Sequence, residues 1–181
     1  MSWIDAATQV RIFSEIPAAD KPIFEFLRLT GLRPAEGRAL KWGCVVRDAE
    51  IPYINIKASF SDNVYREITK VKRQRQIPIR NQIATLLKNI PRNIKSQFVF
   101  TKQGEPYHEK ALIKIWNRAC ERAGVKITMY QGLRHSWASQ RLNEGVSLTV
   151  IGASMGHTNP TTTRRYAHLD RLKAIKAELG E

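Results

Sequence analysis

Five residues of types that act on phosphate esters are spread along this chain of 181 residues. Two are arginines, Arg33 and Arg134, and the others are Lys70, His157 and Tyr166. A guanidinium group binds two phosphate oxygens at once and stabilises a pentacoordinate phosphorus without a metal. A lysine can protonate a leaving alkoxide, and a tyrosine can attack phosphorus once its proton is removed. These residue types indicate metal-free cleavage of a phosphodiester by a tyrosine nucleophile.

The charge of the chain favours a polyanionic partner. Its 30 Lys and Arg residues against 16 Asp and Glu residues give a formal net charge of +14. Nucleic acid is the leading candidate for such a partner. An RNA-binding domain is a weaker alternative, because the sequence has no aromatic-rich recognition strand.

The sequence predicts neither a metal site nor a membrane segment. Cys44 and Cys120 are far apart and have no second Cys or His near enough to form a metal-ligand pattern. We therefore expect no metal, no cofactor and two reduced thiols. No apolar run approaches the roughly 18 residues that span a bilayer, and the first residues do not form a signal peptide. These features predict a cytoplasmic protein without membrane contact.

Hydrophobic periodicity predicts mostly helices with one small β region. Asp20 as N-cap, Pro22 in the first turn and Gly31 at the end define the second helix. The other helices are expected at residues 5–16, 34–40, 80–90, 109–123, 132–143, 148–155 and 160–178. Strands are expected at residues 53–57, 64–71 and 76–79, paired with one another as a three-stranded antiparallel sheet.

Four short motifs now carry a resemblance to a known family. They are T-G-L-R-P-A-E-G-R, T-K-V-K-R-Q-R-Q-I-P-I, T-M-Y-Q-G-L-R-H-S-W and M-G-H-T-N-P-T-T-T-R-R-Y. In this order and spacing the chain resembles the catalytic domain of a tyrosine recombinase of the phage integrase family, over about residues 5–175. The resemblance implies a mainly α-helical α+β fold with a small three-stranded antiparallel sheet. It implies one catalytic domain over residues 1–181, with the family's N-terminal core-binding domain absent from this chain.

The resemblance also implies a role for each motif residue. In that family two arginines bind the scissile phosphate, a lysine in a β-hairpin protonates the leaving oxygen, and a tyrosine forms a 3′-phosphotyrosyl bond to DNA. The matching residues here are Arg33, Arg134, Lys70 and Tyr166. His157 matches the family's second histidine, and Glu36 matches its acidic supporting position.

One position departs from the family pattern. The family usually has H-x-x-R, whereas the residue three before Arg134 is Gln131. Glutamine can orient a phosphate oxygen or a water, but it cannot accept and return a proton at neutral pH. Two interpretations stay open, a site that is active with altered base chemistry and a catalytically silent DNA-binding module of the same fold.

The second motif lies in a basic run. Residues 66–80 hold six basic residues and one acid, which predicts a strand pair facing DNA. We expect Lys72, Arg73 and Arg75 to contact DNA. Lys72 is the alternative to Lys70 as the general acid. The number of residues between Lys70 and Pro78 fits the family's hairpin and favours Lys70.

The function implied by the resemblance is site-specific recombination, for integration or excision of a prophage or genomic island. The expected partners are double-stranded DNA and other recombinase protomers on that DNA, as a tetramer in the recombining complex, with no small-molecule substrate. The expected setting is the nucleoid of a bacterial cell, with the protein encoded by the bacterium or a phage. A DNA-relaxing tyrosine enzyme is the alternative within the enzyme class.

Overall fold

A computed structural model describes residues 2–68 and 74–157 of the chain. The α-helices are α1 Ala6–Ser14, α2 Lys21–Thr30, α3 Pro34–Arg38, α4 Asn81–Asn89, α5 Glu109–Arg122, α6 Ser136–Asn143 and α7 Leu148–Met155. The strands are β1 Val45–Val46, β2 Tyr53–Ile56, β3 Ala58–Ser61, β4 Val64–Glu67, β5 Arg75–Pro78, β6 Thr101–Lys102 and β7 Glu105–Pro106. A 3₁₀ turn spans Trp42–Cys44, and a π-helical segment spans Gln131–His135. The mainly helical α+β architecture is as expected, while the helix expected at 160–178 lies outside the described residues.

The strands pair differently from the prediction. In the described residues the three-stranded antiparallel sheet has the order β1-β2-β5, while β4 pairs with β3 in a separate hairpin. The turn between β3 and β4 consists of Asp62 and Asn63, whose φ angles of 51° and 59° are those of the tight two-residue turn that closes β-hairpins. This local turn pairs β4 with β3, so β2 takes β1 as its other neighbour. A two-residue strand such as β1 has no periodicity from which it can be predicted.

The start of α2 is predicted correctly in position but not in its contacts. Lys21 begins the helix, and Gly31 ends it with φ of 65°. Asp20 occupies the N-cap position but makes no side-chain cap. Its carboxylate instead accepts hydrogen bonds from Tyr107 Oη at 2.8 Å and Lys102 Nζ at 3.1 Å. This carboxylate is 5% exposed, and it joins α2 to the strand pair β6–β7.

The hydrophobic core consists of two clusters. The larger one is centred on Trp116 of α5, which stacks on Phe24 and meets Phe13 edge-on, and it extends to Ile54 and Ile77 of the sheet. The smaller one lies under α6 and α7. Its buried members are Trp137, Ala138, Leu142, Ile151 and Met155. The π-helical segment connects the two clusters, so its residues lie at the boundary between them.

Gly31 lies at this boundary, where a side chain has no room. Its φ is positive, and a Cβ atom there would lie 2.5 Å from the ring of Trp137. We expect Gly31→Ala to lower the free energy of unfolding by ~1–2 kcal/mol for the left-handed backbone and by a further ~1–3 kcal/mol for the overlap. Urea denaturation measures the sum. Gly124→Ala is the matched control, because Gly124 has the same φ of 65° with nothing within 4 Å of the added carbon. Equal losses in the two variants would contradict the close packing of Trp137 on Gly31.

Candidate active site

Arg33 lies at the start of α3 with an extended backbone, φ −67° and ψ 142°. Pro34 follows as the first helical residue, where its missing N–H leaves no donor unpaired. The Arg33 backbone N–H donates to Glu36 Oε2 at 2.9 Å, and Arg33 Nη1 lies 3.4 Å from Glu36 Oε1. The Arg33 side chain is 43% exposed. Its guanidinium is therefore oriented by Glu36 while remaining open to a ligand.

Glu36 is a buried carboxylate neutralised by Arg75. Arg75 donates from Nη1 to Oε1 at 3.0 Å and from Nη2 to Oε2 at 2.8 Å, a bidentate pair. Burial alone would raise the pKa of the Glu36 carboxyl, yet the hydrogen bonds and charge of Arg75, with help from Arg33, hold that pKa below its usual value. The carboxylate is therefore ionised at neutral pH. Its stabilising effect is present above the pKa of the unfolded carboxyl and is lost as the pH falls through the lowered one.

Arg134 is the most deeply buried charged group of the site. Its exposure is 0%, and it donates from Nη1 to Gly31 O at 2.6 Å and from Nη2 to Met155 O at 2.8 Å. Nη2 also lies 3.3 Å from His157 Nε2. Burial lowers the pKa of the Arg134 guanidinium, and the charge of Arg33 lowers it further. Within the described residues its buried Nε has no hydrogen-bond acceptor.

The π-helical segment places Arg134 and is held from outside by α1. The Ser136 N–H donates to Gln131 O, five residues back, as in a π-helix. Gly132 O accepts a hydrogen bond from Gln9 Nε2 at 2.7 Å, and Gln9 is only 1% exposed. Gly132 itself packs against Trp116, since a Cβ there would lie 2.3 Å from the indole ring. Side-chain contacts from α1 and α5 therefore stabilise this unusual turn, which carries Arg134.

Gln131 takes part in a capping box with Thr128. The Thr128 Oγ1 donates to Gln131 Oε1 at 2.8 Å, while the Gln131 N–H points to Thr128 Oγ1 at 3.3 Å. The Thr128 N–H also lies 3.4 Å from Gln131 Oε1. This reciprocal arrangement closes the first turn of the helix that contains Arg134. The amide oxygen of Gln131 thus has a structural role, in addition to any role towards a phosphate.

His157 follows the C-terminal end of α7. Gly156 has φ of 69°, its N–H donates to Ala153 O at 3.0 Å, and the His157 N–H donates to Gly152 O at 2.9 Å. This pair of bonds is a Schellman motif, which ends the helix and turns the chain sharply. The turn brings the His157 ring against Arg134, so His157 is more than the isolated helix-terminal residue that its sequence position alone would allow.

The structure thus brings together Arg33, Glu36, Arg134 and His157, which the sequence grouped by motif. Lys70, Lys72, Arg73 and Tyr166 lie outside the described residues. The Arg75 guanidinium, which the sequence predicts to contact DNA, binds Glu36 at 2.8 Å, and its side chain is 12% exposed. Sequence reasoning missed Gln9, and no local signal marks it beyond its place on the buried side of α1.

The described residues contain no group of three or more potential metal ligands and no helix long and apolar enough to cross a membrane. Of the two cysteines expected in the core, Cys120 is buried and Cys44 is half-buried. Burial raises the pKa of the Cys120 thiol to about 11. This thiol is therefore protonated and unreactive at neutral pH.

Comparisons with known proteins identify the family to which this chain belongs. The sequence model of the phage integrase family matches residues 3–173. The tyrosine recombinase XerC of Staphylococcus carnosus is 29% identical over 169 residues, covering 89% of this chain and 53% of that protein. The integrase of Salmonella phage P22 is 25% identical over 178 residues, covering 92% of this chain and 43% of that protein. The chain belongs to the phage integrase family, and it spans about half the length of the curated relatives it matches.

Solved structures confirm the fold. The integrase of transposon Tn1549 in complex with transposon right-end DNA superposes with a TM-score of 0.76 at 20% identity, covering 98% of this chain and 66% of that one. The catalytic domain of bacteriophage HP1 integrase gives a TM-score of 0.65 at 22% identity, covering 93% and 88% respectively. The expected tyrosine recombinase catalytic-domain fold is therefore confirmed.

We expect Gln9→Leu to destabilise the π-helical segment. The substitution keeps the side-chain size but leaves the buried Gly132 carbonyl without its donor, which should lower the free energy of unfolding by about 1–3 kcal/mol. Urea denaturation followed by circular dichroism measures this change. Gln82→Leu on the exposed face of α4 is the control, and we expect it to stay within about 0.5 kcal/mol of the unmodified protein. Equal effects of the two substitutions would show that the Gln9 contact is unimportant.

Proposed function

We propose that this domain breaks and rejoins double-stranded DNA in site-specific recombination. Three observations support the proposal, namely membership of the family, the net charge of +14 and the clustering of Arg33, Arg134 and His157. The clustering carries most weight. A buried guanidinium that touches an imidazole and lies near a second, exposed guanidinium is suited to binding one phosphate that gains charge during reaction.

The proposed reaction uses the chain's own groups and no metal or cofactor. The phenolic oxygen of Tyr166 attacks the scissile phosphorus and loses its proton, while the bond from phosphorus to the 5′-oxygen breaks. Lys70 gives its proton to that leaving oxygen, and a 3′-phosphotyrosyl bond holds the cleaved strand. Attack by a 5′-hydroxyl reverses these steps and releases Tyr166. Since the phosphodiester is exchanged for a phosphotyrosyl ester, rejoining needs no ATP.

The same proposal covers the substrate, the assembly and the biological use of the domain. The substrate is double-stranded DNA, held chiefly by basic residues such as Lys72 and Arg73, and the recombining complex is a tetramer of protomers on DNA. Integration or excision of a prophage or genomic island is the proposed biological use. The DNA contacts are mostly electrostatic, so affinity should fall steeply as salt concentration rises.

A catalytically silent DNA-binding module is the second candidate, and one observation favours it. The family's usual histidine position is occupied by Gln131, whose amide oxygen is already used in the capping box with Thr128. A glutamine cannot take the proton of a tyrosine whose ordinary pKa is near 10. Covalent capture of DNA decides between the two candidates.

We expect Tyr166→Phe to abolish covalent protein–DNA adducts and to leave DNA affinity unchanged, because it removes the nucleophilic oxygen and little else. The measurement uses a nicked duplex that traps the intermediate, with adducts resolved on a denaturing gel and affinity measured by gel shift. The unmodified protein should form adducts equally well with EDTA present. Adducts in the Phe variant would place the nucleophile elsewhere, and loss of cleavage in EDTA would overturn the metal-free mechanism.

We expect Gln131→His to increase the rate of adduct formation near neutral pH. An imidazole accepts the phenolic proton in this pH range, whereas the amide cannot. Single-turnover adduct formation measured from pH 5 to pH 9 tests the effect. Gln131→Ala is the control, because it loses the side-chain half of the capping box and supplies no base. Identical pH profiles for the His variant and the unmodified protein would show that proton removal at this position does not limit the reaction.

A further inference from the structure

The Arg75 guanidinium connects two separate parts of the site. Nη1 and Nη2 bind the two carboxylate oxygens of Glu36 on α3, at 3.0 and 2.8 Å. Nε donates to Ser154 O, in the last turn of α7, at 3.1 Å. All three nitrogens thus make internal hydrogen bonds, and the side chain is 12% exposed. The residue itself begins β5, so one side chain ties a strand to two helices.

The Glu36 carboxylate that binds Arg75 also binds Arg33. The same carboxylate accepts the Arg33 backbone N–H at 2.9 Å and lies 3.4 Å from Arg33 Nη1. Glu36 is buried, so its position depends on the groups that neutralise it. Arg75 is the closer of its two cationic partners, because both of its Glu36 contacts are shorter than the Arg33 Nη1 contact.

The Ser154 carbonyl that binds Arg75 lies next to the residues of α7 that contact Arg134. Met155, the next residue along α7, accepts from Arg134 Nη2 through its carbonyl at 2.8 Å, and His157 lies two residues further. Gly156 leaves room for this arrangement, since a Cβ there would lie 2.8 Å from Arg75 Nη1. The end of α7 is therefore packed directly on the Arg75 guanidinium.

We propose that Arg75 is a positioning residue that sets the separation between Arg33 on one side of the phosphate site and the Arg134–His157 pair on the other. The proposal rests on the proposed function. Arg75 acts through Glu36 and the end of α7, without itself touching the phosphate.

The rival interpretation is the one the sequence suggests, in which Arg75 contacts DNA. The two interpretations have opposite consequences. Loss of a phosphate contact weakens DNA binding and lowers the salt dependence of affinity by about one counterion. It leaves the rate of adduct formation at saturating protein unchanged. Loss of a positioning contact slows the chemical step and leaves affinity and its salt dependence unchanged, because a misplacement of about 1 Å can cost about 100-fold in rate.

The experiment compares Arg75→Met with Arg118→Met in the full chain. Arg118 is an exposed arginine on α5, so its replacement removes the same charge without touching the site. With saturating protein on a nicked duplex, we expect the single-turnover rate of adduct formation to fall about 10- to 100-fold in Arg75→Met only. We expect the Kd for the same duplex to agree within about 2-fold between the two variants. A weakened, less salt-dependent affinity with an unchanged rate would overturn the proposal.

A second variant separates positioning from stability. Arg75→Met alone leaves the buried Glu36 carboxylate with Arg33 as its remaining cationic partner, at 3.4 Å, which lowers Tm. The double variant Arg75→Met/Glu36→Gln removes both charges and keeps an acceptor for the Arg33 N–H, so we expect Tm to recover towards that of the unmodified protein. The rate should remain below that of Glu36→Gln alone, which removes the same contact with Arg33, because neither new side chain spans the gap to Ser154. Recovery of the rate together with Tm would show that Arg75 serves stability alone and would overturn the proposal.

Hydrogen exchange tests the positioning independently of any cleavage. In both Arg75 variants we expect faster exchange of the backbone N–H groups at the end of α7, at Gly156 and His157, with exchange in α5 unchanged. If the unmodified protein formed no adduct on any DNA, the proposed function would fail, while this exchange difference would still support Arg75 as the group that holds α7. Unchanged exchange at Gly156 and His157 would overturn the positioning role.

Discussion

The site depends on the burial of one cation, Arg134, between two helix ends. Its guanidinium donates to Gly31 O just after α2 and to Met155 O at the end of α7. The last carbonyls of a helix lack intrahelical donors and carry the negative end of the helix dipole. Arg134 satisfies such carbonyls on two helices at once, which offsets the cost of removing its charge from water. The group expected to bind phosphate is therefore also the group that holds the two helices together.

Polar contacts also lie at the boundary between the two hydrophobic clusters. Trp137 Nε1 donates to Leu29 O at 3.2 Å, Gln140 Nε2 donates to Ile4 O at 3.0 Å, and Arg75 reaches Ser154 O. Directional hydrogen bonds fix geometry more narrowly than apolar packing does. Breaking such a bond is expected to change the geometry at the boundary as well as to lower stability.

The sequence predicted the parts of the site that depend on local geometry. In the block T-G-L-R-P-A-E, Gly31 ends α2 and Pro34 begins α3, as the sequence predicted. The errors came from long-range contacts. Strand composition cannot show that β4 pairs with β3. Asp20 failed as a cap for the same reason, since Tyr107 binds it from 87 residues away.

Gln131 illustrates how structure and chemistry compete at one position. As the third residue of its helix, it can close a capping box with Thr128, and glutamine and glutamate do this better than histidine. The same position precedes Arg134 by three residues, where the family usually has a histidine. A histidine there would favour proton transfer, whereas the glutamine favours a well-ordered helix start beneath Arg134. The π-helical turn, braced by Gln9 and Trp116, shows that ordering this start requires contacts from several elements. The contacts of Gln131, Gln9 and Trp116 therefore all act on the helix start that carries Arg134.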